Sequence, residues 1–341
     1  MISSDTSILG VFPELQAVGG VETAGRAAWE PLSRGAKRLQ FCYRHQGSAT
    51  KLSALVRAVS EQRHVEKVLF WHLGLLKLLP FLRVGSARVA VFIHGVEAWR
   101  TPDALTRRLL RRVSLFLTNT DLTWNRFLEF NPELSGTPQR TVHLGLGEAG
   151  GPRPLAPDTA PAALMLGRMS SQERYKGHAE VIGAWPLVVS ALPTAKLWIA
   201  GTGDDRPNLE RRAAELGVAS AVEFLGCVSE QEKESRLQRA RALALPSRGE
   251  GFGLVYLEAM RMGRPSLVGV GDGGEEVVNP PEAGLAVAPS DRQAVADALV
   301  RLLSAGAEWD LWSRQSEERY RSHFTEAHFQ TRLIRALGAM A

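Results

Sequence analysis

Short apolar runs alternate with longer amphipathic stretches along most of this chain, and few folds satisfy that alternation. The runs read as strands and the amphipathic stretches as crossing helices, so the units are strand–helix–strand and the sheets parallel. In the first half the candidate strands are Ser7–Phe12, Leu39–Tyr43, Lys67–Trp71, Val89–His94, Leu115–Asn119 and Thr141–Leu144. In the second half they are Ala163–Leu166, Lys196–Ala200, Ala221–Leu225, Ala242–Pro246 and Pro265–Val270. Between the two sets lies Gly147–Pro161, whose Gly, Pro and Ala content marks a linker. The expected architecture is α/β, with two doubly wound, Rossmann-like domains at about 1–150 and 151–324 facing a central cleft that holds the ligand. A chain of 341 residues is long enough for both. The final amphipathic stretch, Trp309–Met340, is expected to pack on a domain surface, its last part (about 325–341) returning to the first domain.

Hydrophobic residues at 45% and charged residues at 23% exclude a disordered chain. A net charge of +5 and a pI near 9.5 permit an anionic partner. The two cysteines, Cys42 and Cys227, are far apart and show no metal-ligand spacing, so a reducing, cytoplasmic setting is expected. The start, Met-Ile-Ser-Ser-Asp-Thr, carries no secretory pattern. The most apolar stretch, Val68–Val84, is interrupted by His72, Lys77, Pro80 and Arg83 and falls short of a membrane span.

Two helix starts are legible. Ser229-Glu-Gln-Glu232 has capping-box spacing, and Thr101-Pro102-Asp103 places a cap, an N1 proline and an acid in order. The helix after Thr101 puts Arg107, Arg108, Arg111 and Arg112 on one side and Leu105, Leu109, Leu110 and Val113 on the other. Such a basic face fits anionic lipid at the inner face of a cell membrane or a charged acceptor; it equally fits a solvated helix surface.

The densest chemistry lies at 247–265, Ser-Arg-Gly-Glu-Gly-Phe-Gly-Leu-Val-Tyr-Leu-Glu-Ala-Met-Arg-Met-Gly-Arg-Pro. Glu250 and Glu258 bracket a glycine turn that enters a helix over 254–262, with Gly263 as its left-handed end and Pro265 as its stop. Gly253, lacking a Cβ, lets the backbone approach a ligand. Free N–H groups at a helix start suit a phosphate, and carboxylates suit the hydroxyls that flank phosphate in a nucleotide sugar. Spacing alone leaves open a strand–loop–helix unit with two ordinary surface glutamates. Upstream, Arg168 and Lys176 are two cations in a loop at a strand's carboxyl end, suited to a diphosphate. Gly201-Thr-Gly203 is a tight turn fit to lie under a base or ribose, but it is not the full dinucleotide fingerprint. No P-loop and no Gly-x-Ser-x-Gly elbow occurs.

The ordered set Gly167-Arg168, Lys176-Gly177, Gly201-Thr-Gly203, Phe224-Leu225-Gly226, Pro246-Ser247, Glu250-Gly-Phe-Gly253, Glu258-Ala-Met and Gly263-Arg-Pro265 resembles glycosyltransferase family 4, retaining enzymes of the GT-B fold. The resemblance spans roughly 160–280 and is thinner upstream, where Gly19-Gly20-Val21-Glu22 resembles an acceptor-side glycine loop, and His72 and His94 resemble cleft histidines. It implies that Arg168 and Lys176 grip the donor diphosphate, that Glu258 holds the ribose hydroxyls, and that Glu250 holds those of the transferred sugar. Backbone at Phe252, Gly253, Leu254 and Val255 would meet sugar and phosphate. Gly201, Gly203, Leu225 and Val228 would surround the base. His94 would approach the sugar, and Gly19, Gly20 and His72 would line the acceptor side.

The expected reaction moves a hexose-type sugar from a UDP-, GDP- or ADP-sugar to a hydroxyl acceptor, a lipid-linked or cell-surface glycan precursor. No cofactor is expected. No metal is expected either, because the donor half lacks an Asp-x-Asp motif. In related enzymes the acceptor attacks the face the diphosphate leaves, so Glu250 would position rather than form a covalent bond. Epimerisation or phosphorolysis of a nucleotide sugar on the same fold is the rival enzyme reading, separated by a product assay. A basic nucleic-acid binder is a remote third reading. It lacks interleaved aromatics and any known binding module, so no nucleic-acid partner is expected.

Overall fold

The computed structural model describes residues 8–13, 15, 19–29, 32, 37–40, 65–82, 84–148, 157–158 and 160–340. Cys42, the end of the strand expected at 39–43 and most of the 147–161 linker lie outside them. The chain divides into two compact units: 1–146 together with 326–341, and the continuous segment 147–325.

In the first unit the strands are β1 (Ile8–Phe12), β2 (Lys37–Gln40), β3 (Lys67–Phe70), β4 (Arg88–Ile93), β5 (Val113–Thr118) and β6 (Gln139–Thr141). They pair in parallel in the order β2-β1-β3-β4-β5-β6. Five of the six β4 residues are buried in unbroken succession, as a strand covered on both faces requires. Phe70, Val91, Phe116 and Phe127 join one core. The helix Glu326–Gly338 belongs to this unit: Phe329 meets the Trp71 ring edge-on at 6.2 Å, and Leu337 O accepts from Lys67 Nζ at 2.9 Å.

The second unit holds β7 (Ala162–Leu166), β8 (Lys196–Ala200), β9 (Val222–Gly226), β10 (Ala242–Leu245), β11 (Ser266–Gly269) and β12 (Gly284–Val287). Their order is β12-β11-β10-β7-β8-β9, all parallel. Within the unit this is the doubly wound arrangement 3-2-1-4-5-6. Both units are therefore parallel-sheet α/β, as the alternation in the sequence predicts.

Several local expectations need correction. β12 was not anticipated, because a four-residue edge strand opened by a glycine and only half buried gives little apolar signal. β6 ends at Thr141, where a strand was expected to begin. The cap at 101–103 is Asp103, not Thr101: its carboxylate accepts from Thr106 N at 2.9 Å and pairs with Lys77 at 2.8 Å. The helix is Ala104–Leu110, leaving Pro102 outside it, and Leu105 is exposed while Leu109 and Leu110 are buried. The stretch 309–340 breaks where Phe324 leaves helical backbone. Ala307–His323 buries Trp309, Trp312 and Tyr320 in the second unit; Glu326–Gly338 buries Phe329, Leu333 and Leu337 in the first. Ser229 caps its helix through Glu232 N as its spacing predicts, and Gly263 takes a left-handed φ of +64°. No helix among the described residues is long and apolar enough to cross a membrane.

Candidate active site

In the second sheet β7 and β10 are neighbours, yet the chain leaves β7 toward β8 and leaves β10 in the opposite direction toward β11. That reversal opens a crevice at the carboxyl ends of the two strands. The loops emerging there are 167–177 and 246–253, which carry the motifs singled out above.

The loop after β7 contains the 3-10 turn Ser171–Lys176 and ends at left-handed Gly177, where the helix His178–Ala191 starts. It is pinned from below by Asp204 and Asp205. Asp204 Oδ1 accepts from Ser171 N at 2.9 Å, and Asp205 takes a two-pronged bond from Arg174 at 2.6 and 2.9 Å. These adjacent acids thus brace the cation-bearing loop. Arg168 is exposed, its guanidinium paired with Glu173. Lys176 is more enclosed, and its Nζ stands 3.5 Å from Glu250 Oε2.

Gly201 closes β8 by donating to Gly226 O at 2.8 Å. A Cβ there would sit 1.9 Å from Gly167 O, so the close approach that demands glycine is to the β7 loop backbone. Gly203 follows in the same turn. Leu225 lies near the end of β9, and Val228 in the turn into the helix Glu230–Arg239; both are half-buried.

The loop after β10 is held by Asp272, the cap of the short helix Gly273–Val278. Its Oδ2 accepts from Glu250 N at 2.9 Å and its Oδ1 from Gly274 N at 3.0 Å, while Gly273 N donates to Glu250 O at 3.0 Å. Asp272 is 2% exposed, and burial pushes its carboxyl up to about 6. Gly253 then starts the helix Leu254–Arg261 at φ +81°, where a Cβ would lie 2.4 Å from the Tyr256 ring. The turn itself therefore requires the glycine, apart from any ligand. Phe252 is buried against the Phe324 ring, and Leu254 and Val255 are half-buried in the helix's first turn. Glu258, one turn further on, is paired with Lys233 at 2.8 Å; burial raises its carboxyl above the usual range.

The crevice thus brings together Lys176, Glu250 and the N-terminus of the helix carrying Glu258, with Arg168 on the same loop as Lys176. Sequence reasoning missed Asp272 and Lys233. Asp272 had a legible signal, an acid directly before two glycines and a helix. Lys233 had none, since its partner lies 25 residues away.

The remaining expected site residues follow strands of the first sheet, in which β1 and β3 flank the chain reversal. Gly19 and Gly20 open the helix Gly20–Trp29 after β1. His72 caps the 3-10 segment Leu73–Phe81, its Nδ1 accepting from Gly74 N at 2.9 Å. His94 follows β4. Its Nε2 lies 2.7 Å from Trp71 O, which can only accept, so the proton sits on Nε2. Burial pulls this imidazole down to about 4, so it is neutral near pH 7. The His72 and His94 rings stack with centroids 6.4 Å apart. Arg107, Arg108, Arg111 and Arg112 are all exposed. Among the described residues no three His, Cys, Asp or Glu side chains gather as a metal-binding group.

The two doubly wound parallel-sheet units in one chain, the second bearing this site at its switch point, are those of the GT-B fold, which solved structures share. Sucrose-phosphate synthase from Thermosynechococcus elongatus matches 98% of this chain over 100% of its own, with TM-score 0.77 and 18% identity. HepE from Anabaena, solved in complex with UDP, matches the same shares with TM-score 0.76 and 15% identity. Residues 160–305 match the family described as Glycosyl transferases group 1. A GDP-mannose-dependent monoacylated alpha-(1-6)-phosphatidylinositol monomannoside mannosyltransferase of Corynebacterium glutamicum is 35% identical over 153 residues, 43% of this chain and 39% of that protein. Glycogen synthase of Mycobacterium tuberculosis is 31% identical over 236 residues, 68% of this chain and 53% of that protein. The chain thus spans only about 40% to half of the length of these two relatives.

Proposed function

We propose that this chain is a retaining glycosyltransferase that moves a hexose-type sugar from a nucleoside-diphosphate sugar to a hydroxyl acceptor. The observation that carries the reading is the meeting of Lys176 and Glu250 at 3.5 Å beside the start of the helix that bears Glu258. Breaking the anomeric C–O bond leaves negative charge on the departing diphosphate. Lys176, Arg168 and the open N–H groups at the helix start supply fixed positive potential for it, with little reorganisation. Glu250 and Glu258 accept hydrogen bonds from sugar and ribose hydroxyls, respectively. In this scheme the acceptor enters on the face the diphosphate leaves, and its proton passes to a phosphate oxygen. Glu250 orients the sugar and forms no bond to carbon. The second unit is the donor-binding half. Gly19, Gly20, His72 and His94 belong to the acceptor-binding half, where neutral His94 contributes a hydrogen bond rather than a charge.

The relatives keep more than one base in view, since one is named for GDP-mannose and HepE was solved with UDP. The mannosyltransferase's lipid substrate also supports a lipid-linked acceptor, and the exposed arginines at 107–112, with exposed Leu105 beside them, support contact with an anionic membrane at its cytoplasmic face.

The test is a donor panel. The protein is incubated with UDP-, GDP- and ADP-hexoses, followed by thermal shift and by release of nucleoside diphosphate with and without glycan acceptors. One donor should raise the melting temperature and release diphosphate in an acceptor-dependent way. If none binds, or if the sugar is isomerised in place with no diphosphate released, the proposal fails.

A further inference from the structure

We propose that Lys233 is a positioning residue for donor binding: by holding Oε1 of Glu258 it presents the other carboxylate oxygen to the ribose diol of a nucleoside diphosphate. The inference rests on reading Glu258 as the ribose contact, and it adds a residue from a different element, the helix Glu230–Arg239.

The geometry is specific. Lys233 Nζ lies 2.8 Å from Glu258 Oε1 and 2.7 Å from Glu230 Oε2. The side chains of Lys233 and Glu258 are only 21% and 19% exposed, whereas that of Glu230 is 90% exposed. The lysine thus bridges an enclosed carboxylate and a solvated one. An enclosed carboxylate without a cation drifts toward its neutral form. A neutral carboxyl is a poor partner for a diol, because one of its oxygens has become a donor while both diol hydroxyls seek acceptors. Lys233 opposes that drift. Burial alone would lower the lysine, but Glu258 and Glu230 together carry it above its ordinary value, so it stays charged throughout the working range. The pair also fixes the Glu258 rotamer before any donor arrives, sparing part of the ordering cost of binding. The sequence offers no hint of the contact, since Lys233 reads as one more charge on a polar helix, Glu-Gln-Glu-Lys-Glu-Ser-Arg.

The experiment compares each of UDP, GDP and ADP with its 2′,3′-dideoxy counterpart by calorimetry, using full-length wild type, Lys233→Met, Lys233→Arg and Glu258→Gln between pH 5.5 and 8. For the diphosphate that binds, Lys233→Met should weaken the ribose form about tenfold and leave the dideoxy form unchanged, with the gap widening toward pH 5.5. Lys233→Arg should restore most of the loss. A ratio of ribose to dideoxy affinity that Lys233→Met does not alter would reduce Lys233 to a strut between helices and overturn the inference. If Glu258→Gln also left that ratio unchanged, the ribose reading of Glu258 would fall with it. Lys233→Gln, which keeps an N–H donor without the charge, gives the same comparison should the methionine variant not fold.

Discussion

Lys176 Nζ stands 3.5 Å from Glu250 Oε2, although the two residues come from loops on opposite sides of the β7/β10 chain reversal. Each is the other's nearest counter-charge in the absence of donor. On the proposed function, a sugar diphosphate entering there would give the lysine phosphate oxygens and the glutamate sugar hydroxyls, exchanging one ion pair for two better-matched contacts.

Lys176→Ala should lower kcat by a factor of a hundred or more, as loss of one preorganised charge contact commonly does. Steady-state rates with the donor found in the panel provide the check. A loss confined to KM would mean that the lysine binds ground state and transition state alike.

Glu250→Gln should slow turnover without trapping a sugar on the enzyme. Intact-mass spectrometry of wild type and variant during turnover reads this directly, and a hexose adduct on either would sink the same-face scheme. With Arg168, Lys176 and the helix start carrying the leaving-group charge, turnover should also survive EDTA.

Donor affinity should fall as pH drops below about 6. Asp272 titrates near there and accepts from both Glu250 N and Gly274 N. Protonation turns one accepting oxygen into a donor and loosens the loop that carries Glu250. KM for donor, measured from pH 5 to 8, should rise at the acid end in wild type. Asp272→Asn should give a raised and flatter profile.

The buried His94 makes stability pH-dependent in a defined direction. Unfolded, it takes up a proton near 6.5; folded, only near 4. The unfolded chain therefore binds the extra proton across that window, so stability is full above 6.5 and declines by about 3 kcal/mol as pH falls to 4. Melting curves of wild type should fall more steeply over this range than those of His94→Gln. Parallel curves would show that the imidazole is not shielded.

Gly253→Ala should cost about 1–2 kcal/mol from left-handed backbone alone. The added methyl would also press on Tyr256, whose hydroxyl is tied to Leu245 O at 2.9 Å. The melting temperature checks this, with donor affinity as a second readout because the helix start would shift.

Much of this architecture was legible because local and global signals agree. Continuous apolar strands such as Ala162–Leu166 can only be covered on both faces, and glycine turns after them mark the carboxyl edge. The pairing of β7 with β10 was not legible, because nothing in either segment names its neighbour. Consequently Lys176 and Glu250 were expected at one donor site, but their direct pairing was not legible. Asp272 under Glu250 and Asp205 under Arg174 were not foreseen at all: each is a tertiary partner, set by sheet order rather than by spacing. Helix ends failed where two caps competed, as Asp103 displaced Thr101 by adding a bond to Lys77.

The last helix, Glu326–Gly338, completes the unit that the first 146 residues begin, whereas 147–325 is unbroken in the chain. During synthesis the later segment can therefore finish folding before the earlier one does. Until that helix leaves the ribosome, the opening half waits with Trp71 lacking Phe329 and Lys67 lacking the carbonyl of Leu337, a vulnerable interval in which chaperones would have their greatest effect.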